Sequence, residues 1–99
     1  MATIQLLKDG ITTLYTAENP KYTAQISGVL HVVFSPQQST QLGLRLNQVK
    51  AWLFQGNTLS PNTWYDADGL EVLANDEISL YVSNNTQAYV RLYIKAYCV

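Results

Sequence analysis

The side chains able to do chemistry are few, and their spacing suits little of it. His31 is the one histidine and lies in the apolar stretch Gly28–Phe34. A nucleophilic site needs nucleophile, base and orienter in mutual reach. Ser27 and Ser35 flank His31, but no Gly-x-Ser-x-Gly elbow is present. His31 therefore reads as a structural residue. Carboxylates gather at Asp66, Asp68, Glu71, Asp76 and Glu77. Asp66-Ala67-Asp68-Gly69-Leu70-Glu71 has the look of a calcium loop, yet such a loop needs more oxygen ligands at fixed spacing and flanking helices. It reads as a polar turn. A single cysteine, Cys98, excludes an intrachain disulfide framework and a cysteine-based zinc site. The expectation is no enzyme, no metal and no cofactor.

Aromatic residues carry the remaining signal. Trp52, Trp64 and Tyr65 are candidate ligand contacts, because exposed rings of this kind stack on sugars. The last stretch alternates most clearly. Ala88, Val90, Leu92, Ile94, Ala96 and Cys98 fall on one face of a strand, and Tyr89, Arg91, Tyr93, Lys95 and Tyr97 on the other. Tyrosine and arginine are enriched where proteins meet, so the second face is a candidate oligomer interface. The same tyrosines would also suit pairing with neighbouring strands of one sheet. Arg45, Lys50, Arg91 and Lys95 form no dense basic patch, and nucleic acid is not an expected partner.

These residues need strands to position them. No window combines helical spacing with a cap, and strand signals recur between Gly, Pro and Asn. The pattern predicts strands over Thr3–Lys8 and Ile11–Ala17, joined by an Asp9-Gly10 hairpin turn. A turn follows at Glu18–Lys21. Tyr22–Phe34 reads as one long strand bent at Gly28. Leu42, Leu44 and Leu46 alternate with Gly43 and Arg45, and Val49–Gln55 continues as a strand. Trp64-Tyr65 and Leu70–Leu73 read as short strands around the turn Asp66–Gly69. Glu77–Ser83 places Ile78, Leu80 and Val82 opposite Ser79 and Tyr81. Seven to nine strands in one domain, 1–99, predict an all-β fold: a compact antiparallel β-sandwich of jelly-roll type.

Composition narrows the function further. The 99 residues are 47% hydrophobic and only 13% charged, with a net charge of −1. That excludes a strongly basic clamp and ordinary disorder. No apolar run reaches the roughly 20 residues of a membrane helix. Met1-Ala2-Thr3-Ile4-Gln5 lacks a basic n-region, so no cleaved leader is expected. A sparsely charged surface associates readily.

The order of motifs resembles that of small tailed-bacteriophage virion proteins. Gly10-Ile11-Thr12-Thr13-Leu14-Tyr15-Thr16-Ala17 is similar to a "TLYTAP"-like stretch near their start. A long apolar stretch follows, here Tyr22–Phe34. Leu73-Ala74-Asn75-Asp76-Glu77-Ile78 stands where they carry an L-x-x-x-D-x-I step, and two closing strands end the chain. That ending also resembles trimeric jelly rolls of the complement and tumour-necrosis-factor shape. Glu18-Asn19-Pro20 departs from the usual Pro-Ala-Gly, and Asn75 stands where a glycine is usual. The resemblance implies a virion component that decorates the capsid. It would be a homo-oligomer, a trimer by preference, on the outer capsid surface and bound to the major capsid protein. It would be made in the host cytoplasm and have no membrane partner. The alternatives are a receptor- or glycan-binding module of a head or tail fibre, and a neck or tail adaptor.

Overall fold

Period-two alternation builds two sheets. The computed structural model describes residues 4–17 and 21–96. Its strands are β1 (Ile4–Leu14), β2 (Lys21–Thr23), β3 (Gly28–Pro36), β4 (Leu42–Leu46), β5 (Val49–Trp52), β6 (Tyr65–Val72), β7 (Glu77–Val82) and β8 (Thr86–Ala96). The first sheet has the order β1-β8-β3-β6 and the second β2-β7-β4-β5. β1 pairs with β8, β2 with β7, β3 with β6 and β4 with β5, all antiparallel. This nested pairing is a jelly roll. Only the β4–β5 connection stays within one sheet; every other connection crosses the sandwich.

Between the sheets lie the inward residues of both. β8 contributes Ala88, Val90, Leu92 and Ile94, and β3 contributes Leu30, Val32 and Phe34. Leu42, Leu44, Ile78, Leu80 and Val82 face them from the second sheet. Each large side chain withdrawn from water contributes about 1.5–3 kcal/mol before the entropy of ordering the chain is counted.

Four sequence expectations fail, the first two for one physical reason. Asp9-Gly10 is no hairpin turn, because β1 runs straight through it and Gly10 pairs with Val90. Asp66–Gly69 is no turn either, because β6 runs through it against β3. In both strands the register slips by a bulge, between Leu6 and Lys8 in β1 and opposite His31 in β6. Gly10 and Gly69 hold φ of 139° and 93°, a region that suits glycine. Gly69 lies in the bulge opposite His31, whereas Gly10 pairs in register with Val90 beyond the bulge of β1; aspartate-glycine thus signals positive φ, which a long paired strand accommodates as well as a turn. The third failure is Tyr22–Phe34, which divides into β2 and β3 on opposite sheets. The crossover is held where Ala24 N–H donates to Asp76 O and Asn75 N–H donates to Ala24 O. Gly28 opens β3 because a Cβ there would lie 2.1 Å from the Lys95 carbonyl oxygen. Val49–Gln55 also ends early: β5 stops at Trp52, and Phe54–Gly56 is a 3-10 turn. Of the expected Glu18–Lys21 turn, residues 18–20 lie outside the described residues, as do Tyr97 and Cys98, while Lys21 begins β2.

Candidate functional site: the outer faces of the two sheets

Antiparallel partners share a face, so the register lists what each sheet presents outward. On the first sheet, Ile4, Lys95, Val29 and Glu71 make one row. Leu6, Tyr93 and His31 make the next, with Asp68 beyond. Asp9, Arg91, Val33 and Asp66 follow, then Ile11, Tyr89 and Ser35. Trp64, just before β6, closes that last row against Tyr89.

The rings here pack on one another. Tyr93 stacks on His31 at 4.9 Å and 4° between planes. The Arg91 guanidinium sits 5.3 Å from the Tyr93 ring centre, a cation–π contact. Trp64 meets Tyr89 edge-on at 5.1 Å. Tyr89 donates its hydroxyl hydrogen bond to Asp9, which raises the phenol above its ordinary pKa. His31 Nδ1 lies 3.9 Å from Asp68 Oδ2. The tyrosine stripe therefore does pair across strands of its own sheet. It also remains at the surface, because Ile4, Leu6, Ile11 and Trp64 around it are each more than half exposed. Charge on this face is sorted by strand. Asp66, Asp68 and Glu71 form a column on edge strand β6, and Arg91 and Lys95 a column on β8.

The second sheet differs. Lys21, Ser79, Arg45 and Lys50 form one row across all four strands. In the adjacent row Tyr81, Gly43 and Trp52 lie side by side. The Tyr81 ring covers Gly43 so closely that a Cβ there would fall 2.2 Å from its Cζ. Trp52 packs edge-on against Tyr81 at 5.0 Å, and Lys50 Nζ lies 4.8 Å over the same ring. Ser79 is buried, and its Oγ has no hydrogen-bond partner among the described residues. A buried hydroxyl left so costs about 1–3 kcal/mol.

The candidate residues thus separate. Trp64 joins Tyr89, Arg91, Tyr93 and Lys95 on the first sheet, whereas Trp52 stands on the second. Tyr65, directly after Trp64, points to the opposite face and serves the interior. It packs on Phe54 at 5.5 Å, and its hydroxyl accepts the Ser60 N–H at 2.7 Å. Trp52, Trp64 and Tyr65 therefore make no common platform. Sequence reasoning missed Ile4, Leu6 and Ile11 on the interface face, because the β1 bulge breaks their alternation. It also missed the row that joins Lys21 to Arg45 through Ser79, residues far apart in the chain.

The carboxylates separate as well. Asp66, Asp68 and Glu71 sit on β6, while Asp76 accepts bonds from Leu73 N–H and from Asn47 Nδ2. Those bonds, the Leu73 one first, hold the Asp76 carboxyl below its ordinary pKa. Ser27 Oγ accepts the Ala74 N–H rather than serving His31. The two seams of the sandwich also differ. Beside β1 and β2, Gln5 bridges the Thr23 carbonyl and the Gln25 N–H. Between β5 and β6 the seam is open, a cavity of about 460 Å³ lined by Leu44, Leu46, Val49, Ala51, Leu53 and Leu70 among others.

No protein-family profile matches the chain, and no curated protein sequence matches it. A solved structure, Streptomyces albus HEPD with its substrate 2-hydroxyethylphosphonate and Fe(II) bound, is 15% identical to it. That match covers 88% of this chain and 18% of HEPD, with a TM-score of 0.40. The chain spans under a fifth of that protein's length, and a likeness of this degree carries no argument about what the chain does.

Proposed function

We propose that this chain is a structural assembly protein that associates with its own copies through the outer face of the first sheet. The observation that carries the reading is the exposed Ile4, Leu6, Ile11 and Trp64 around the Tyr89 and Tyr93 rings. Exposed aliphatic side chains around aromatic rings, interleaved with Arg91 and Lys95, are the composition of a contact surface. Its charge suits another copy of the chain. The acidic column on β6 and the basic column on β8 are parallel, so two copies can offset them against each other. The resemblance in the sequence supplies the setting, capsid decoration on a tailed-phage head. A decoration protein that binds the expanded shell more tightly than its precursor favours the expanded form by the difference in binding free energy. An oligomer adds the gain of several linked contacts.

Light scattering on the purified chain tests the association. The native mass should correspond to about three protomers, and Leu6→Asp or Tyr93→Asp should reduce it to one. A monomeric wild type sinks the reading. Immunogold labelling of virions tests the setting. Gold over the whole head is the expected result, and gold confined to tail or fibre tips overturns it.

A further inference from the structure

The row Lys21, Ser79, Arg45 and Lys50 on the second sheet has no role in that assembly. Its cations come from three strands and are brought into line only by the sheet register. Glu77, also on β7, is the acid nearest to it in contact, with its carboxylate 3.7 Å from Lys21 Nζ. Arg45 Nε donates to the Asn47 carbonyl at 2.7 Å. That bond fixes the guanidinium and leaves its two terminal nitrogens for a bidentate grip on an anion. Ser79, between Lys21 and Arg45, holds a buried hydroxyl with nothing to bond among the described residues. Trp52 stands two residues beyond Lys50 on the same edge strand, 44% exposed.

We propose that this face binds an acidic saccharide, its carboxylate or sulfate on Arg45 and Lys21 and its ring against Trp52. The spacing fits. Arg45 lies on β4 opposite Lys50, and Trp52 stands two residues further along the neighbouring strand β5, a diagonal of about 8 Å that one sugar ring and its anionic substituent can span. An anionic group over Arg45 therefore brings the apolar C–H face of its ring onto the indole. Tyr81, edge-on to Trp52, fixes the indole's attitude, and Gly43 leaves the space in which the Tyr81 ring lies. The Ser79 hydroxyl donates to the anion once the side chains that cover it turn aside. Three cations are too few for a nucleic-acid track, where many phosphates must be neutralised.

Titration calorimetry with three probes tests the proposal: a heparin-derived hexasaccharide for sulfate, sialyllactose for carboxylate, and lactose as the neutral control. At least one acidic probe should bind and lactose should not; which acidic probe binds identifies the anion. Arg45→Gln and Trp52→Ala should each weaken binding about tenfold or more with the native mass unchanged. Lys8→Gln, on β1 of the other sheet, should leave affinity within about twofold. Ser79→Ala should weaken binding while the apo protein melts no lower, a pairing that a purely structural serine does not give. The proposal falls if neither acidic probe binds at millimolar concentration. It also falls if Trp52→Ala retains full affinity, or if Arg45→Gln changes the native mass, which would make the face a subunit contact.

Discussion

The two outer faces are built on the same pleat and come out different. On the first sheet, rings lie over neighbouring strands and aliphatic side chains stand exposed beside them. On the second, one tyrosine is pressed onto a glycine and a row of cations runs across the strands. Both faces carry aromatic residues next to arginine and lysine, so composition alone does not distinguish them. What distinguishes them is depth. Tyr81 is buried where Gly43 gives it room, whereas Tyr89 and Tyr93 sit over side chains that hold them at the surface. A surface aromatic remains available to a partner; a sunken one supports its neighbour.

Substitutions in each face test this difference. The largest effect belongs to the core both faces share. Phe34→Ala should cost about 3–5 kcal/mol in urea unfolding, because a fully buried ring leaves a cavity under both sheets. Gly43→Val comes next. It forces Tyr81 off the second sheet and should cost about 1–3 kcal/mol, while binding through Trp52 is lost with it. An unchanged melting curve would refute the sunken-ring account.

Leu6→Asp should shift stability by no more than about 0.5 kcal/mol, since the side chain is exposed, yet abolish self-association. Ser79→Ala should leave the protein as stable or up to about 1 kcal/mol more stable, measured by thermal unfolding, because it removes an unpartnered buried hydroxyl.

The smallest effect is a pH dependence at the end of the second sheet. The folded pKa of Asp76 lies below its ordinary value of 3.8, held there by the Leu73 N–H and then by Asn47. A depressed carboxyl contributes stability that is present above the unfolded pKa and lost as pH falls through the folded one. Asp76→Asn should therefore flatten the stability profile below about pH 4 and leave its slope near neutrality unchanged.

How far the sequence could be read depended on whether alternation was interrupted. β4, β7 and β8 alternate without a break, and their inward residues Leu42, Leu44, Ile78, Leu80, Val82, Val90 and Leu92 are the core. β1 and β6 contain a bulge each, so the face of every residue past the bulge is reversed. That reversal hid Ile4, Leu6 and Ile11 as companions of the tyrosine stripe. Of the candidate site, the separation of Tyr89, Arg91, Tyr93 and Lys95 from the core was legible; their partners His31, Asp9 and Trp64 were not.

Local chemistry by itself determined the all-β class, the aliphatic core and the outward set on β8, because side-chain direction repeats every two residues and needs no partner to define it. That Asp9-Gly10 and Asp66–Gly69 lie inside strands follows from pairing between distant segments. A glycine's positive φ suits a turn and a long paired strand alike, and the choice depends on whether an eleven-residue β8 or a nine-residue β3 is there to pair with. The same holds for the two faces. Lys21, Ser79, Arg45 and Lys50 meet through the strand order β2-β7-β4-β5, a register that no local stretch of the chain contains.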